Sequence, residues 1–486
     1  MMREDWVEGC FEDLLDYEQP TKYIVKSTEY NDEYETPVLT AGKSFIKGYT
    51  NETDGIFDNL PTIIFDDFTT ASQFVNFKFK VKSSAMKILV PTSGLVKMDF
   101  AYYAMQVNQI RSDTHKRYWI SVYAKKKFLL PSLSEQRAIV AKIEALFSDL
   151  DKGIADLKKA QDQLKVYRQA VLKKAFEGEL TKEWREKQNN LPEADELLEQ
   201  IKEERQKHYE QQLENWKKAV NAWEENGKEG KKPGKPKAIK SVEQFTRTEI
   251  KNMDELPNKW NWVRLGNVFQ VFVGSTPSRS KTEYWENGKI NWVSSGEVTF
   301  SSIFETREKI TNEGLNNAST TIHPVGTVML AMIGEGKTRG QAGILEIEAC
   351  HNQNSAAIRV SEIGFLPKFL FHYLFLKYER NRSVGSGNNQ KALNQGRIMD
   401  FDYPLCSVEE QHQIVQEIES RLSVCDKVEE SITESLEKSK ALRQSILKKA
   451  FEGSLLSSAE IEQCKQAPDY EAASALLDKI KAEKKR

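Results

Sequence analysis

EQRAIVAKIEALFSDLDKGIADLKKAQDQLKVYRQAVLKKAFEGEL occupies residues 135–180, and EQHQIVQEIESRLSVCDKVEESITESLEKSKALRQSILKKAFEGSL occupies residues 410–455. The two segments align without a gap at an offset of 275 residues and share 20 identities in 46 positions. The run LKKAFEG closes both of them, at residues 172–178 and again at residues 447–453. Similarity of this extent within one chain indicates an internal duplication.

Both copies of this repeat are predicted to be long helices. Neither contains proline, and each ends at a glycine, Gly178 or Gly453, which is the usual residue after a helix. In the first copy apolar residues recur every seven positions, at Ile143, Leu150, Leu157, Leu164 and Val171. This spacing is typical of a coiled coil, and two copies in one chain can pack antiparallel against each other. Self-dimerisation through the helices is the alternative interpretation.

Weaker sequence similarities between the two halves of the chain lie on both sides of the helical repeat. ADELL at residues 194–198 recurs as ASALL at residues 473–477, and Trp6-Val7 resembles Trp262-Val263. The duplication therefore predicts the order variable domain, long helix, variable domain, long helix.

The chain divides into five segments by composition and by the repeat. They are residues 1–130, 131–184, 185–254, 255–403 and 404–486. The first and fourth are predicted to be mixed α/β domains, and the second and fifth to be helical regions. The predicted fold class is α+β, with two mixed α/β domains separated by two long helices packed as an antiparallel coiled coil, in a pseudo-twofold repeat.

The segment between the first helical region and the second variable domain has two parts. Residues 193–225 are predicted to form a charged helix, in which Trp216 and Trp223 are seven residues apart. Residues 227–237 are rich in Gly, Pro and Lys, which predicts a flexible basic connector that packs no core. Contact with DNA phosphates is the alternative role for this connector.

Short runs of strand-forming residues punctuate both variable domains. They lie at residues 61–65, 77–82, 326–332 and 356–360. In residues 77–82 lysines alternate with apolar residues, so Lys78, Lys80 and Lys82 are expected on one solvated face of a strand.

Composition restricts the possible functions. The 70 Lys and Arg nearly balance the 72 Asp and Glu, so any DNA contact must come from a local basic patch or from a partner subunit. The five cysteines are odd in number and none forms Cys-x-x-Cys, so neither a metal site nor a disulfide framework is expected. Because no apolar stretch is long enough to span a membrane, a cytoplasmic location without membrane contact is expected.

One segment of the sequence resembles a catalytic motif. Residues 331–338 fit a relaxed phosphate-binding loop, but Gly340 and Gly343 follow so closely that no helix is expected to begin there. A turn that presents Lys337 and Arg339 to a phosphate or a base edge is the preferred interpretation. His-Glu-x-x-His, Gly-x-Ser-x-Gly and the Asn/Asp-Pro-Pro-Tyr/Phe motif of amino-methyltransferases are all missing from the sequence. A recognition protein is therefore favoured over a nuclease or a methyltransferase, and no catalytic residue is assigned.

Over nearly its whole length the chain resembles the specificity subunit of type I restriction–modification systems. The helical repeat resembles the two conserved regions of that family. The second variable domain has the family's recurring pattern, which comprises WVRLG at 262–266, GSTPS at 274–278, YW at 284–285, INWV at 290–293 and NQ at 352–353. The first variable domain lacks the GSTPS turn and resembles another branch of recognition domains, through residues 37–43, 48–52 and 65–70.

The resemblance implies a non-catalytic subunit that recognises a bipartite target in double-stranded DNA. It implies as partners two modification subunits and two restriction subunits, which would hold S-adenosylmethionine, ATP and Mg²⁺, and no cofactor in this chain. The helices would set the distance between the two recognition domains, since about 42 residues span about 63 Å at 1.5 Å per residue. They would also dock the modification subunits, and the residues expected there are Phe176, Gly178, Phe451 and Gly453.

Base recognition in the major groove uses Arg or Lys for guanine and Asn or Gln for adenine. Candidate DNA contacts in the polar loops of the first domain are Lys43, Thr50, Asn51, Ser83, Lys87, Lys116 and Arg117. Those in the second domain are Ser275, Thr276, Ser294, Lys337, Arg339, Asn389, Gln390 and Lys391. For each of them an ordinary surface role is the alternative.

Overall fold

The computed structural model describes residues 3–42, 44–108, 118–230, 232–236, 238, 240–334, 336–360, 364–383 and 392–485. These form two compact units by their contacts. The first unit comprises residues 1–161 with 430–486, and the second unit comprises residues 162–429. Each unit therefore contains one variable domain and a part of each long helix.

The secondary structure begins with a mixed domain and the first long helix. In chain order the elements are β1 (Val7–Cys10), α1 (Phe11–Leu14), β2 (Leu15–Glu18), β3 (Thr36–Leu39), β4 (Ile46–Thr50), β5 (Thr62–Asp66), β6 (Ser72–Val75), β7 (Lys80–Val81), β8 (Met86–Pro91), α2 (Met98–Val107), β9 (Lys127–Leu130) and α3 (Leu133–Phe176).

The remaining elements comprise the helices after α3, a second mixed domain, the second long helix and the helices after it. They are α4 (Lys182–Glu186), α5 (Ala194–Glu225), α6 (Arg247–Lys251), β10 (Asn261–Arg264), α7 (Leu265–Val268), β11 (Gln270–Val273), β12 (Ile290–Val293), β13 (Ser302–Ile303), β14 (Glu308–Ile310), α8 (Asn312–Asn316), β15 (Val328–Ala331), β16 (Ala342–Leu345), β17 (Ala349–His351), β18 (Ser355–Arg359), α9 (Pro367–Leu376), α10 (Tyr378–Ser383), α11 (Gln395–Met399), β19 (Asp402–Leu405), α12 (Val408–Phe451), α13 (Ser458–Lys465) and α14 (Ala473–Lys484).

The two predicted long helices are confirmed as α3 and α12, each of 44 residues. In the first unit Ile143 from the beginning of α3 and Leu447 from the end of α12 share one apolar core. In the second unit Leu172 from the end of α3 and Ile414 from the beginning of α12 share another. In each unit the beginning of one long helix thus packs with the end of the other, as an antiparallel pair requires. The predicted fold class is therefore confirmed.

The first variable domain is built from two small sheets. One has the strand order β2-β8-β5-β6 and the other β4-β3-β7. Along β5 the side chains alternate: Ile63 and Phe65 lie in the core that contains the long helices, and Ile64 lies in a second core. Both faces of this strand are therefore buried, which explains its uninterrupted apolar run.

The second variable domain also has a central strand that is buried on both faces, in a larger sheet. Its strand order is β11-β18-β15-β16-β13, and a second sheet has the order β14-β12-β17. Along β15, Val328 and Leu330 enter the core shared with the long helices, whereas Met329 and Ala331 enter a separate core. The predicted strands at residues 326–332 and 356–360 are confirmed as β15 and β18.

A short antiparallel strand pair closes each variable domain next to its long helix. Val7 pairs with Leu130 in the first domain, and Asn261 pairs with Leu405 in the second. Because Leu130 and Leu405 are equivalent in the 275-residue repeat, the register makes Trp6 equivalent to Trp260. The sequence echo between Trp6 and Trp262 is therefore displaced by two residues.

The helices that follow the long helices complete the two cores. Leu477 of α14 lies in the core of the first unit, and Leu198 of α5 lies in the core of the second. The similar sequences at residues 194–198 and 473–477 are thus the first turns of α5 and α14, and each packs into the core of its unit.

One prediction for the first domain is wrong. Lys80 lies on a strand of only two residues and is 1% exposed, although it was expected on a solvated face with Lys78 and Lys82. Its Nζ lies 3.1 Å from a carboxylate oxygen of Glu52 and donates to the carbonyl oxygens of Asp54 and Gly55. These three acceptors replace water around the ammonium, which allows the aliphatic stem to be buried.

The predicted connector at residues 227–237 is not detached from the rest of the chain. The indole Nε1 of Trp223 donates to Gly230 O at 3.2 Å, and that of Trp216 donates to Pro233 O at 3.0 Å. The described residues of this connector enter no apolar core, as predicted, but the two tryptophans of α5 attach its backbone to the helix.

Candidate nucleic-acid interface

The loop that follows β11 is held against the end of β17. A Cβ atom on Gly274 would lie 2.0 Å from the carbonyl oxygen of His351, so only glycine permits this approach. Ser275 N donates to the same oxygen at 3.1 Å, and Thr276 Oγ1 donates to Gln353 Oε1 at 2.6 Å. Two segments that are 77 residues apart in the sequence therefore form one polar surface.

Two tryptophans fix the backbone of this loop. Trp292 Nε1 donates to Ser275 O and Trp285 Nε1 donates to Ser278 O, both at 3.2 Å. The guanidinium of Arg279 lies 3.7 Å from the ring centroid of Trp285 and is ion-paired with Glu308. The hydrogen bond from Arg279 lowers the pKa of the Glu308 carboxyl.

Arg279 was not among the predicted DNA contacts. Its side chain is 53% exposed, so it can meet a ligand while one face of the guanidinium stays on the indole. The available sequence signal was its position between the GSTPS turn and the Tyr284-Trp285 pair.

Gly274→Ala is expected to lower the free energy of unfolding of the second unit by about 1–3 kcal/mol, because the new methyl group would push the loop away from His351. Gly296→Ala is the matched control, because a Cβ there meets no atom within 4 Å. Denaturant unfolding of both variants measures the difference. Equal stability of the two variants would contradict the close approach at Gly274.

Residues 336–340 form a turn and no helix begins there, as the sequence predicts for the segment at 331–338. Lys337 is exposed, whereas Arg339 is 7% exposed and its Nε donates to Arg382 O at 3.1 Å.

A cleft of about 600 Å³ lies beside this turn. Its lining residues are Gln169, Phe300, Gly336, Lys337, Gln341, Phe375, Leu376, Tyr378, Glu379 and Arg382. The cleft combines two cations with aromatic surface, which suits a phosphate beside a base or sugar.

The remaining candidates of the second domain are distributed as follows. Ser275, Thr276 and Ser294 are half-buried. Ser294 Oγ and Ser294 N both donate to Glu297 Oε2, at 2.6 and 2.8 Å, so this hydroxyl is already engaged by a carboxylate. Asn389, Gln390 and Lys391 lie outside the described residues.

The described candidates of the first domain lie on separate loops and strands. Asn51 and Ser83 are exposed in two different loops. Thr50 is 2% exposed and accepts from Glu52 N at 3.3 Å. Lys87 is 3% exposed, donates to Gln19 Oε1 at 3.2 Å and lies 4.7 Å from the ring centroid of Tyr17. Lys43, Lys116 and Arg117 lie outside the described residues.

The repeated Glu-Gln pair that opens both helical segments anchors each domain to its helix. In the second unit the Glu410 carboxylate accepts from Trp260 Nε1 at 2.8 Å, from Arg185 Nε at 2.7 Å and from Thr181 Oγ1 at 2.8 Å. In the first unit the equivalent Glu135 accepts from Arg3 Nη2 at 2.6 Å. Sequence reasoning missed this role, because the partners of Glu410 are 150 to 229 residues away.

The closing motif of each helical repeat packs within its own unit. Phe176 is 4% exposed, between the rings of Phe369 and Tyr373 at 5.1 and 5.2 Å. The Phe451 ring lies 5.2 Å from that of Phe100. Gly178 and Gly453 have left-handed backbones, with φ of +71° and +77°. Docking of a partner subunit at these four residues stays a prediction.

Two further findings concern only the part of the chain that the structure describes. No helix there is long and apolar enough to cross a membrane. No group of three or more His, Cys, Asp or Glu side chains there is arranged to hold a metal ion.

A family model described as "Type I restriction modification DNA specificity domain" matches the chain twice, over residues 3–159 and 257–438. The two matches include most of the chain, which therefore belongs to this family and is a DNA specificity subunit with two domains of a type I restriction–modification system.

Two curated relatives match this chain over most of their length. The EcoR124I/EcoR124II specificity subunit of Escherichia coli is 28% identical over 442 residues, which are 89% of this chain and 89% of that protein. The EcoDI specificity subunit of Escherichia coli is 26% identical over 400 residues, which are 80% of this chain and 77% of that protein.

Two solved structures have a similar fold. One comes from a study titled "Structural basis underlying complex assembly and conformational transition of the type I R-M system"; it has a TM-score of 0.62 at 16% identity and covers 94% of this chain and 100% of its own. The other is the HsdS subunit from Thermoanaerobacter tengcongensis, with a TM-score of 0.52 at 16% identity, covering 93% and 98%.

Proposed function

We propose that each variable domain recognises one half of a bipartite DNA sequence. The observation that supports this proposal is the repetition of one frame with two different sheets. Glu135 and Glu410 are equivalent in the repeat, and each accepts a hydrogen bond from a residue that precedes the first strand of its domain, whereas the main sheets have four and five described strands in different orders. Different sheets on a common frame suit two different half-sites, and the length of the helix pair would then set the number of base pairs between them.

The chain itself would be non-catalytic. Its complex would contain two modification subunits that use S-adenosylmethionine and two restriction subunits that use ATP and Mg²⁺. A pseudo-twofold repeat supports this stoichiometry, because it offers the same kind of partner two equivalent sites. Exposed apolar side chains on the long helices of the second unit, Val166 at 70% and Val424 at 61%, suit burial by such a partner.

Exposure divides the predicted DNA contacts into two groups. Lys337, Asn51 and Ser83 are exposed and would touch DNA directly, together with Arg279. Thr50, Lys87 and Arg339 are nearly buried, which favours a role in positioning the loops. For the candidates outside the described residues, including Arg117, DNA contact stays a prediction from sequence.

Lys337→Gln is expected to weaken binding of the complete methyltransferase complex to its target by about 1–3 kcal/mol, because it removes a cation from the exposed turn. Lys251→Gln, an exposed lysine on α6, is the control and should leave binding unchanged. Equilibrium binding at fixed salt, on the target and on a duplex with a scrambled second half-site, measures both variants.

If Lys337→Gln binds the target as the unaltered protein does, Lys337 is not a DNA contact. The function itself is tested by the unaltered complex: it fails if methylation is not confined to one bipartite sequence, or if the purified chain alone methylates or cleaves DNA.

A further inference from the structure

Helix α5 extends far beyond the core of the second unit. Its buried residues are Ala194, Leu198, Ile201 and Arg205, and no residue from 206 to 225 is buried. Arg205 Nη1 donates to the carbonyl oxygens of Gly266 and Asn267, at 3.1 and 2.9 Å. The helix is thus fixed on α7 at its beginning and solvated over its last twenty residues.

The chain after α5 returns along the helix to the same anchor. We call residues 228–240 the return segment. The hydrogen bonds from Trp223 to Gly230 and from Trp216 to Pro233 attach it to the helix. Immediately after it, Val242 N donates to Asn267 Oδ1 at 3.0 Å. The described residues of this hairpin, which we call the arm, are therefore attached at its base and at two points along its length.

Positive charge is concentrated on one side of this arm. The return segment contains six lysines and one glutamate, whereas residues 206–225 contain three lysines and four glutamates. Lys228, Lys232, Lys235 and Lys240 are exposed. Lys232 and Lys235 lie 5.8 and 5.9 Å from the ring centroids of Trp223 and Trp216, so the rings that fasten the backbone also orient two of the ammonium groups.

A phosphate backbone is the partner that fits this surface. Lysine is a point charge that binds phosphate without distinguishing bases, and a row of lysines without alternating carboxylates favours a continuous polyanion. A segment that is already attached to a helix at two points loses less entropy on binding than an unattached linker does. The base of the arm also adjoins the recognition domain, because Lys240 Nζ donates to Gln395 Oε1 of α11 at 3.1 Å.

We propose that the return segment binds the phosphates of duplex DNA and adds a sequence-independent contact to those of the variable domains. This inference rests on the proposed function, since it assumes that DNA lies against the second domain. The arm would raise affinity for every duplex equally and leave the recognised sequence unchanged.

The test compares three variants of the full chain, each assembled with its modification subunits. The first carries Lys228→Gln, Lys232→Gln, Lys235→Gln and Lys240→Gln. The second carries Trp216→Ala and Trp223→Ala, which keep the charge and release the segment. The control carries Lys207→Gln, Lys217→Gln and Lys218→Gln, on the charge-balanced helix. Binding to a target duplex and to a scrambled duplex is measured over a series of salt concentrations.

The lysine variant is expected to lose at least tenfold in affinity for both duplexes, and its salt slope is expected to fall by up to about 3.6, at about 0.9 per phosphate. The tryptophan variant is expected to lose less, and the control to match the unaltered complex. An unchanged salt slope in the lysine variant overturns the inference. If the lysine variant assembles poorly with the modification subunits but keeps its salt slope, the inference is also overturned, because the segment would then bind a protein partner. If the unaltered complex does not prefer the target duplex, the proposed function fails instead.

Discussion

Glu410→Ala is expected to lower the free energy of unfolding of the second unit by about 3–5 kcal/mol. The Glu410 side chain is 2% exposed and that of Arg185 is 14% exposed. Removing the carboxylate leaves a buried guanidinium without its counter-ion and the indole N–H of Trp260 without its acceptor. The loss is large because these groups cannot recover water in the folded state.

Glu135→Ala is the matched variant in the first unit, where the expected loss is smaller, about 1–2 kcal/mol. Its partner Arg3 is 19% exposed and retains a second carboxylate, Asp5, at 2.8 Å. Hydrogen exchange measured by mass spectrometry reports on the backbone amides of each unit, so it measures the two losses side by side. Equal losses in the two variants, or a larger loss for Glu135→Ala, would contradict the assignment of Glu410 as the stronger anchor.

The second unit is expected to lose about 4 kcal/mol of stability between pH 7.5 and pH 5.5, because it buries three neutral histidines. Burial lowers the pKa of His323 to about 2 and that of His351 to about 4, and burial likewise lowers the pKa of His372 to about 4. In the unfolded chain each imidazole binds a proton near pH 6.5, so the unfolded state takes up more protons as pH falls. Stability is therefore complete above pH 6.5 and decreases below it, by about 1.3 kcal/mol for each histidine at pH 5.5.

Urea unfolding at several pH values measures this dependence. His372→Gln supplies the control, since it removes one of the three groups and should reduce the pH-dependent loss by about a third. His372 also faces Lys368 and Glu419, whose opposite effects on its pKa are smaller than that of burial. A second unit whose stability is flat from pH 7.5 to pH 5.5 would show that these rings are protonated in the folded state.

Local periodicity made the long helices predictable. A heptad repeat and the absence of proline define a helix from residues a few positions apart, and α3 and α12 coincide with the predicted segments within about two residues. Strands β5, β15 and β18 were predictable for the same reason, since each is a short apolar run bounded by turn residues.

Contacts between distant residues were not predictable from such patterns. Lys80 sits in an alternating run that indicates a solvated face, yet acceptors at residues 52–55 bury it. The Pro/Gly-rich return segment has the composition of a free linker, and only the pair Trp216 and Trp223, seven residues apart on a polar helix, signalled that something packs there. In the candidate DNA interface, sequence selected the GSTPS loop and Lys337 but not Arg279, whose role depends on tryptophans brought together by the sheet.

The division of the chain between the two units has a consequence for synthesis on the ribosome. The second unit is continuous, so all of its residues are available once position 429 has been made. The first unit needs residues 430–486, including the apolar face of α14 that covers its core. At about 5–20 residues per second, the nascent N-terminal domain waits for tens of seconds with that core uncovered. The domain that is translated first is thus completed last, and its apolar surface stays open to aggregation during this interval.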